Sequence, residues 1–345
     1  MSSTSTEPTP TTSMKHKLVC PSPPFRLAPF SFPCEMIYRE NATPEDLLSD
    51  IADATIVASP FMPLTYDLIV NHAPKLQMIL CQGSGTDHVS HTACRERGIT
   101  LCNTPAQGIA SVSEHAFALL GALKRRIVPM HNLTMDGHSW ADRMFLIGDW
   151  AEPPRTNADE VMGVVGYGAL GKGVEKIAKA LGMTTLIAER KGAAETRAGR
   201  TAFEDVLKRC TVLVLTAPLD DSTRDMIATP ELGSMQRSAM LVNVGRGGLV
   251  DEAALVRALK ERQIAGAATD VFAVEPATKQ NSTLLDPEIP NLLLSPHVAW
   301  YSKTTIENAK SYVHGTIEAF VRGEPRNVVI EGRKAGHEGP NGAVV

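Results

Sequence analysis

The sequence predicts an α/β protein built from two doubly wound parallel sheets. Short apolar runs alternate with amphipathic stretches along most of the chain, which is the pattern of parallel strands joined by helices. In the second half the runs are apolar at nearly every position, as in strands that are covered on both faces. The chain has 345 residues, and a single core does not keep growing at that length, so two domains are expected.

Two series of strands can be placed on the sequence, and a long helix separates them. The first series is predicted at residues 17–20, 55–59, 78–81 and 99–102, with helices at 44–52 and 65–72. The second is predicted at residues 161–165, 185–189, 212–216, 240–244, 265–271 and 291–294. Residues 111–126 between them have helical spacing, and Ser111 and Glu114 form a capping-box pattern at their start. A last helix over 303–322 could return to the first series, which predicts a discontinuous first domain.

The composition argues against several classes of protein. The formal charge is −4 with both signs mixed along the chain, so neither nucleic acid nor an anionic membrane is expected as a partner. The six cysteines lie in apolar stretches without metal-ligand spacing, which indicates buried thiols, no metal site and a cytoplasmic location. Residues 1–15 and 331–345 are poor in apolar side chains and are expected to be loose.

A glycine-rich turn follows the first strand of the second series. Residues 166–171 read Gly-Tyr-Gly-Ala-Leu-Gly and lead into a helical pattern, as a dinucleotide-binding turn requires. Gly166 allows the tight turn, Gly168 lets the backbone approach a pyrophosphate, and Gly171 lets the helix pack on the strand. The amide groups at the start of the helix would then face the anion.

Glu189 lies at the predicted end of the next strand, near the ~20-residue spacing at which a carboxylate binds the adenosine ribose hydroxyls. A carboxylate there repels a 2′-phosphate, so NAD is favoured over NADP. Arg190 and Lys191 follow directly and could contact a phosphate if the turn moved Glu189 aside, which keeps NADP open. A solvated loop acid is the simpler alternative for Glu189.

Three chemically active residues come just after strands of the second series. They are Arg246, Glu275 and His297. Because the carboxyl ends of parallel strands meet at one edge of the sheet, these residues are expected to converge on one crevice.

The segments around these residues resemble the signatures of the D-isomer-specific 2-hydroxyacid dehydrogenases. They read Val-Gly-Arg-Gly-Gly-Leu-Val-Asp over 244–251, Asp-Val-Phe-Ala-Val-Glu-Pro over 270–276 and Ser-Pro-His over 295–297. With the glycine turn, the resemblance extends from about residue 55 to residue 329. Within the family, segments 166–171, 188–190 and 296–300 resemble the glycerate dehydrogenase (hydroxypyruvate reductase) branch.

The resemblance implies a fold and a reaction. A Rossmann-type NAD(P)-binding domain over 111–298 is inserted in a smaller flavodoxin-like substrate-binding domain over 16–110 and 299–330. A hydride passes between a nicotinamide cofactor and a small anionic 2-oxoacid or D-2-hydroxyacid, with hydroxypyruvate or glyoxylate as the expected substrate. His297 is then the general acid, Glu275 orients its ring and favours the imidazolium, and Arg246 pairs with the substrate carboxylate.

The family pattern also implies the remaining contacts. The loop after residues 78–81 would grip the substrate carboxylate with the backbone of Ser84, Gly85 and Thr86, beside Arg246 and His297. Besides the three glycines, Glu189 and Arg190, the implied cofactor contacts are Ala169, Leu170, Ala217, Pro218, Val244, Asp270 and His297. Plain structural roles remain alternatives for Ala217, Pro218 and Asp270.

The segment 135–160 is long and apolar for a loop and contains Trp140, Phe145 and Trp150. In the family a comparable arm clasps a second subunit, so a homodimer is expected, with a lid over the chain's own surface as the alternative. Two other functions remain open: a dinucleotide-sensing binding protein of the corepressor type, and a reductase for a larger 2-oxoacid.

Overall fold

The computed structural model describes residues 15–147 and 153–332. The chain divides into two compact units, one formed by the residues up to Gln107 and from Lys303 onward, the other by Gly108–Ser302. The boundaries predicted at residues 111 and 298 fall a few residues inside the second unit. Most of the predicted loose ends, residues 1–14 and 333–345, lie outside the described residues, as does Trp150.

The first unit is a six-stranded sheet with helices. Numbered along the whole chain, its strands are β1 (His16–Pro21), β2 (Cys34–Arg39), β3 (Ile56–Ser59), β4 (Met78–Cys81), β5 (Thr100–Asn103) and β12 (Val328–Ile330). Its helices are α1 (Pro44–Ile51), α2 (Tyr66–Asn71), α3 (His91–Arg97) and α11 (Lys303–Val321). The strand order is β2-β1-β3-β4-β5-β12, so its first five strands have the predicted flavodoxin-like arrangement.

Local sequence explains why these elements form where they do. Thr43 caps α1 through a capping box with Asp46, and Pro44 takes the first helical position, where a missing N–H costs nothing. Helix α11 places Ala309, Val313 and Ile317 in a core with strand residues of β1, β3, β4 and β5. Burying a side chain the size of Val313 or Ile317 stabilises the fold by roughly 1.5–3 kcal/mol.

The second unit contains a parallel six-stranded sheet. Its strands are β6 (Val161–Val165), β7 (Thr184–Ile187), β8 (Val212–Leu215), β9 (Met240–Asn243), β10 (Gly266–Thr269) and β11 (Leu292–Leu294). Its helices are α4 (Ile109–Lys124), α5 (Ile127–Met135), α6 (Ser139–Arg143), α7 (Ala169–Ala180), α8 (Phe203–Arg209), α9 (Thr229–Ser234) and α10 (Glu252–Lys260), with 3₁₀ turns at Asn157–Asp159, Gly247–Leu249 and Thr283–Leu285.

The strand order of the second sheet, β7-β6-β8-β9-β10-β11, places the switch in winding direction beside β6. Beyond β7, Ala188 forms a single parallel bridge with Thr201, in the position of a further Rossmann strand. Ligands of such sheets bind outside the carboxyl ends of the strands near the switch point. The glycine turn after β6 lies at that point.

Helix α4 differs from the prediction at its start. It begins at Ile109 after Gly108 and has no side-chain cap, whereas the sequence pattern predicts a capping box of Ser111 and Glu114 there. The Ser111 hydroxyl instead donates to the Gly108 carbonyl, because the helix already includes these residues. The predicted apolar face is correct, since Ala116, Leu119, Leu120 and Leu123 are buried against the second sheet.

Strands β2 and β12 are not predicted by the sequence pattern. Strand β2 is a half-buried edge strand, and β12 is three residues long and pairs antiparallel with β5. Within residues 15–147 and 153–332, no helix has the length and apolarity needed to cross a membrane.

Candidate active site

The glycine turn after β6 has the geometry of a dinucleotide-binding turn. Gly166 has φ of +88°, and a Cβ there would lie 2.5 Å from the Ala217 nitrogen. A Cβ on Gly171 would lie 2.1 Å from the Gly166 carbonyl oxygen. Gly168 precedes the first residue of α7, and a Cβ on it would meet open space. The first and third glycines are therefore required by packing, whereas the second leaves room at a helix N-terminus for a pyrophosphate, so the turn fits a dinucleotide.

Other predicted cofactor contacts surround this turn or follow neighbouring strands. Ala217 is buried two residues after β8, and Val244 is buried directly after β9. At the start of α7, Ala169 is exposed and Leu170 is half-buried. Pro218 follows Ala217 in the loop after β8, and its carbonyl accepts from the Thr223 hydroxyl. All of these residues lie at the carboxyl edge of the second sheet.

Glu189 follows β7 as predicted, but its carboxylate is bound by the protein. Arg197 donates to it in a fork, with Nη2 2.5 Å from Oε1 and Nε 2.8 Å from Oε2. The backbone nitrogens of Arg190 and Arg197 add bonds of 2.9 and 3.1 Å. The Arg197 guanidinium and then the Arg190 N–H hold the pKa of Glu189 well below its usual range.

A hydrogen-bonded turn presents Arg246 after β9. The Asn243 side chain accepts from Gly245 N at 3.1 Å and donates to the Arg246 carbonyl at 2.9 Å. Gly247 allows this turn to touch the loop after β10, because a Cβ there would lie 1.8 Å from the Phe272 carbonyl carbon. The two loops are therefore packed backbone to backbone.

His297 and Glu275 are in direct contact. The ring Nδ1 of His297 is 2.6 Å from Oε2 of Glu275, and both side chains are about a quarter exposed. Glu275 also accepts from Phe272 N at 2.9 Å. Burial alone would raise the pKa of Glu275, but His297, the Phe272 N–H and the Arg246 charge lower it on balance. The structure thus brings His297 and Glu275 into contact and places the Arg246 charge near enough to act on Glu275.

Asp270 supports the backbone of His297. The buried Asp270 carboxylate accepts from the nitrogens of Val298 at 3.0 Å and Ala299 at 2.8 Å, and its carbonyl accepts from His297 N at 2.7 Å. His297 has φ of +52°, a conformation that a non-glycine residue keeps where its surroundings hold it. In the structure Asp270 therefore organises the loop that carries His297.

The predicted substrate loop lies in the first unit, after β4. The Ser84 carbonyl accepts from the Asn103 side chain at 2.8 Å, and its hydroxyl from Ala106 N at 3.4 Å. Thr86 pairs with the His91 ring at 3.0 Å. Together with Gly85, these residues form a loop of small side chains at the carboxyl edge of the first sheet.

Three residues with clear roles in this geometry are missed by sequence reasoning. Arg197 binds Glu189, Asn243 builds the Arg246 turn, and His115 Nε2 lies 2.9 Å from the Ser295 hydroxyl, which donates to Asp270 at 2.5 Å. The sequence does contain a signal for the Arg197 contact, since Arg197 is a cation in the short loop that follows Glu189, an acid at a strand end. The other two contacts depend on residues distant in sequence or on turn geometry.

Chemically, the second unit combines a glycine turn of dinucleotide-binding geometry, an arginine that can pair with an anion, and a histidine that is paired with a carboxylate. A paired histidine can donate and take back a proton near neutral pH. Within the described ranges, no group of three or more His, Cys, Asp or Glu side chains is arranged to hold a metal ion.

Comparison with known proteins agrees with this architecture. The model of the D-isomer-specific 2-hydroxyacid dehydrogenase NAD-binding domain matches residues 117–299. A glycerate dehydrogenase of Methylorubrum extorquens is 38% identical over 301 residues, which are 87% of this chain and 93% of that protein. A glyoxylate reductase of Thermococcus litoralis is 35% identical over 76% of this chain and 79% of its own length.

A solved structure gives the same result. The NADPH-dependent glyoxylate/hydroxypyruvate reductase of Sinorhizobium meliloti, in complex with NADP and malonate, superposes with a TM-score of 0.76 at 26% identity, covering 93% of this chain and all of that chain. These matches favour the predicted enzyme over a corepressor-type binding protein. The chain therefore belongs to the D-isomer-specific 2-hydroxyacid dehydrogenase family and is an NAD(P)-dependent oxidoreductase.

Proposed function

We propose that the chain reduces hydroxypyruvate or glyoxylate to the corresponding hydroxyacid. The observation that carries this proposal is the His297–Glu275 pair at 2.6 Å beside the Arg246 turn. The relatives named for glycerate, glyoxylate and hydroxypyruvate support a small 2-oxoacid over a larger one.

In the proposed mechanism each residue has one task. The nicotinamide, when bound, supplies the hydride that reduces the carbonyl carbon. Arg246 pairs with the substrate carboxylate and polarises the carbonyl oxygen. His297 gives its Nε2 proton to that oxygen, and in the oxidative direction takes it back. Glu275, bonded to Nδ1, fixes the tautomer and stabilises the imidazolium.

Asp270 and the substrate loop of the first unit have separate proposed roles. Asp270 is a positioning residue, because its bonds hold the backbone that carries His297. The amides of Ser84, Gly85 and Thr86 are proposed to bind the substrate carboxylate. The glycine turn, with Ala169, Leu170, Ala217, Pro218 and Val244 around it, is proposed to hold the dinucleotide.

A spectrophotometric panel tests the proposed substrate class. Hydroxypyruvate, glyoxylate, pyruvate and a branched-chain 2-oxoacid are each offered with NADH and with NADPH, and absorbance at the nicotinamide band is followed. The proposal expects kcat/KM for hydroxypyruvate or glyoxylate to exceed that for the branched-chain acid by at least about tenfold, which corresponds to ~1.4 kcal/mol. A preference for the larger acid, or no turnover with any of them, contradicts it.

We further propose that the chain is a homodimer. Helices α5 and α6 and the residues after them expose Met135, Trp140, Met144, Phe145 and Ile147, each more than 60% exposed. Large apolar side chains exposed this close together along the chain are typical of an interface, and the resemblance of this segment to the family's subunit-clasping arm favours a second copy of the chain as the partner. Light scattering tests this: the parent should be a dimer, and Trp140→Asp with Phe145→Asp should be a monomer. A monomeric parent contradicts the proposal.

The free cysteines support a cytoplasmic location. All six are unpaired, and all but Cys34 are buried as predicted. Burial raises the pKa of Cys102 and Cys210 to about 12, so these thiols stay protonated at neutral pH. We propose a reducing compartment, the cytoplasm, on this ground.

A further inference from the structure

Glu189, the acid that the sequence places at the adenosine ribose, already has all of its hydrogen-bond acceptor positions occupied by protein donors. A carboxylate has about four lone-pair positions, and Glu189 uses four: two donors on Oε1, from Arg190 N and Arg197 Nη2, and two on Oε2, from Arg197 N and Nε. Its side chain is 4% exposed, whereas that of Arg197 is 60% exposed. The group that faces solvent at this strand end is therefore the cation.

Two further arginines, Arg190 and Arg200, lie near the end of β7 beside Glu189. Arg190 is exposed directly after Glu189. The Arg200 guanidinium lies 4.7 Å from the centre of the ring of Tyr167, which is a residue of the glycine turn. Nη1 of Arg200 donates to the Ala188 carbonyl at 3.3 Å. Backbone bonds between Glu189 and Thr201 and between Thr201 and Ile187, both 2.8 Å, fix the two ends of this loop beside β7.

Lys191, the other cation that the sequence suggests as a phosphate contact, is bound to other groups of the protein. Its Nζ lies 2.8 Å from the Glu231 carboxylate and donates to the Met226 carbonyl at 3.0 Å. Lys191 therefore does not add to the cations around the ribose position, which are Arg190, Arg197 and Arg200.

We propose that the loop from Arg190 to Arg200 is a 2′-phosphate site, so that this chain binds NADP(H) in preference to NAD(H), with Arg197 as the residue that sets the preference. The Glu189–Arg197 pair is neutral as a whole and has no acceptor left for two ribose hydroxyls. Among the other charges of the loop, Lys191 is paired with Glu231, and Arg190 and Arg200 outnumber the exposed Glu195. The remaining charge is therefore positive, which suits a phosphate dianion and its three acceptor oxygens. A nearby arginine is the general means by which a dinucleotide turn accommodates that phosphate.

The proposal rests on the dinucleotide-binding role of the second unit and not on the substrate, so it is tested by binding alone. Dissociation constants of NADPH and NADH are measured by calorimetry on the full chain without substrate, at low and high salt. The parent should bind NADPH at least about tenfold more tightly, and salt should weaken NADPH binding more than NADH binding.

Three variants make the test specific. Arg197→Ala removes a charged partner and frees Glu189, so the NADPH/NADH preference should move towards NADH by about 10- to 100-fold, the size expected for ~1.5–3 kcal/mol in charged hydrogen bonds. Arg190→Ala should weaken NADPH binding and leave NADH binding unchanged. Arg237→Ala is the matched control, because Arg237 is an exposed arginine just before β9, at the opposite edge of the same sheet.

Several results of these binding measurements would overturn the proposed preference for NADP(H). A parent that binds NADH as tightly as NADPH or more tightly overturns the proposal. So does a preference that changes less than about threefold in Arg197→Ala, or that changes by as much in Arg237→Ala. If Arg197→Ala does not fold, Arg190→Ala decides alone. Loss of turnover with intact NADPH binding would count against the proposed function and not against this site.

Discussion

The two sheets of the molecule share an architecture but differ in the residues at the carboxyl ends of their strands. In the second sheet this edge carries a glycine turn and the charged groups Glu189, Arg246, Glu275 and His297. In the first sheet the corresponding edge carries the small neutral residues Ser84, Gly85 and Thr86. The strands differ little, since in both sheets the core strands are short, parallel and apolar.

This difference shows where function resides in a doubly wound protein. The sheets supply rigid edges, and loops of different chemistry give each edge its task. Charged side chains that must be held in a fixed geometry lie on the loops with many internal bonds, such as the His297 loop on Asp270. The small residues of the other edge offer backbone amides at close range, for which little side-chain support is needed.

The largest expected effect comes from His297, the proposed proton donor of the charged edge. His297→Ala should lower kcat by ~10² or more, because general acid catalysis contributes about that much, while dinucleotide binding stays nearly intact. Steady-state kinetics and calorimetry measure the two. His72→Ala, a surface histidine of the first unit, is the control. A His297 variant of normal activity would remove this residue from the mechanism.

Arg246→Ala tests the proposed charged partner of the substrate. Losing charge-assisted hydrogen bonds of ~1.5–3 kcal/mol should raise KM for the 2-oxoacid about 10- to 100-fold. Binding of the dinucleotide alone should not change. If KM were unaffected, the carboxylate would have to be bound by other groups, and the contrast between the two edges would weaken.

Ser84→Ala probes the neutral edge and should have a smaller effect. The side chain contributes one neutral hydrogen bond, to Ala106 N at 3.4 Å, and the backbone amides remain. That hydrogen bond lies within the protein, so its loss can weaken the positioning of the loop by at most about 1 kcal/mol, and KM should rise roughly fivefold or less. A loss as large as that of Arg246→Ala would mean that the first sheet contributes as much as the second.

The smallest effect is a dependence of stability on pH at Glu275. Its pKa is lowered in the folded protein from the ordinary value of 4.5, so its ionised form stabilises the fold above pH 4.5, and this is lost as pH falls through the lowered value. Glu275→Gln should therefore be less stable than the parent at pH 7, with a difference that shrinks below pH 4.5. Melting temperatures of both proteins, with exposed Glu288→Gln as control, measure it. A difference that persists unchanged at pH 3 would contradict this assignment.

Sequence patterns are sufficient for the parts of the structure that depend on local order. Buried parallel strands are apolar throughout, and their ends locate the loops, which is why β4 and β6 are predicted with their observed bounds and why Arg246, Glu275 and His297 can be expected at one edge. Strand β12 cannot be predicted in this way, since three residues form a strand only when they pair with β5.

The start of helix α4 and the environment of Glu189 also could not be predicted from local sequence patterns. Ser111 and Glu114 have capping-box spacing, but the chain continues the helix back to Gly108, so the pattern describes its first turns and not its end. Glu189 is correctly placed after a strand, but its partner Arg197 is eight positions further along a loop whose folded course the sequence does not show. Contacts within loops are set by turn geometry, which periodicity does not report.

The decisive experiment for the proposed active site is a structure of the chain with reduced dinucleotide and oxamate, a 2-oxoacid analogue that is not reduced. We expect the nicotinamide ring beside the analogue, the analogue's carboxylate on Arg246, and its amide carbonyl oxygen, which takes the place of the substrate's keto oxygen, about 2.6–3.2 Å from His297 Nε2. A nicotinamide bound away from the His297–Glu275 pair, or an analogue held without Arg246, would contradict the proposed site.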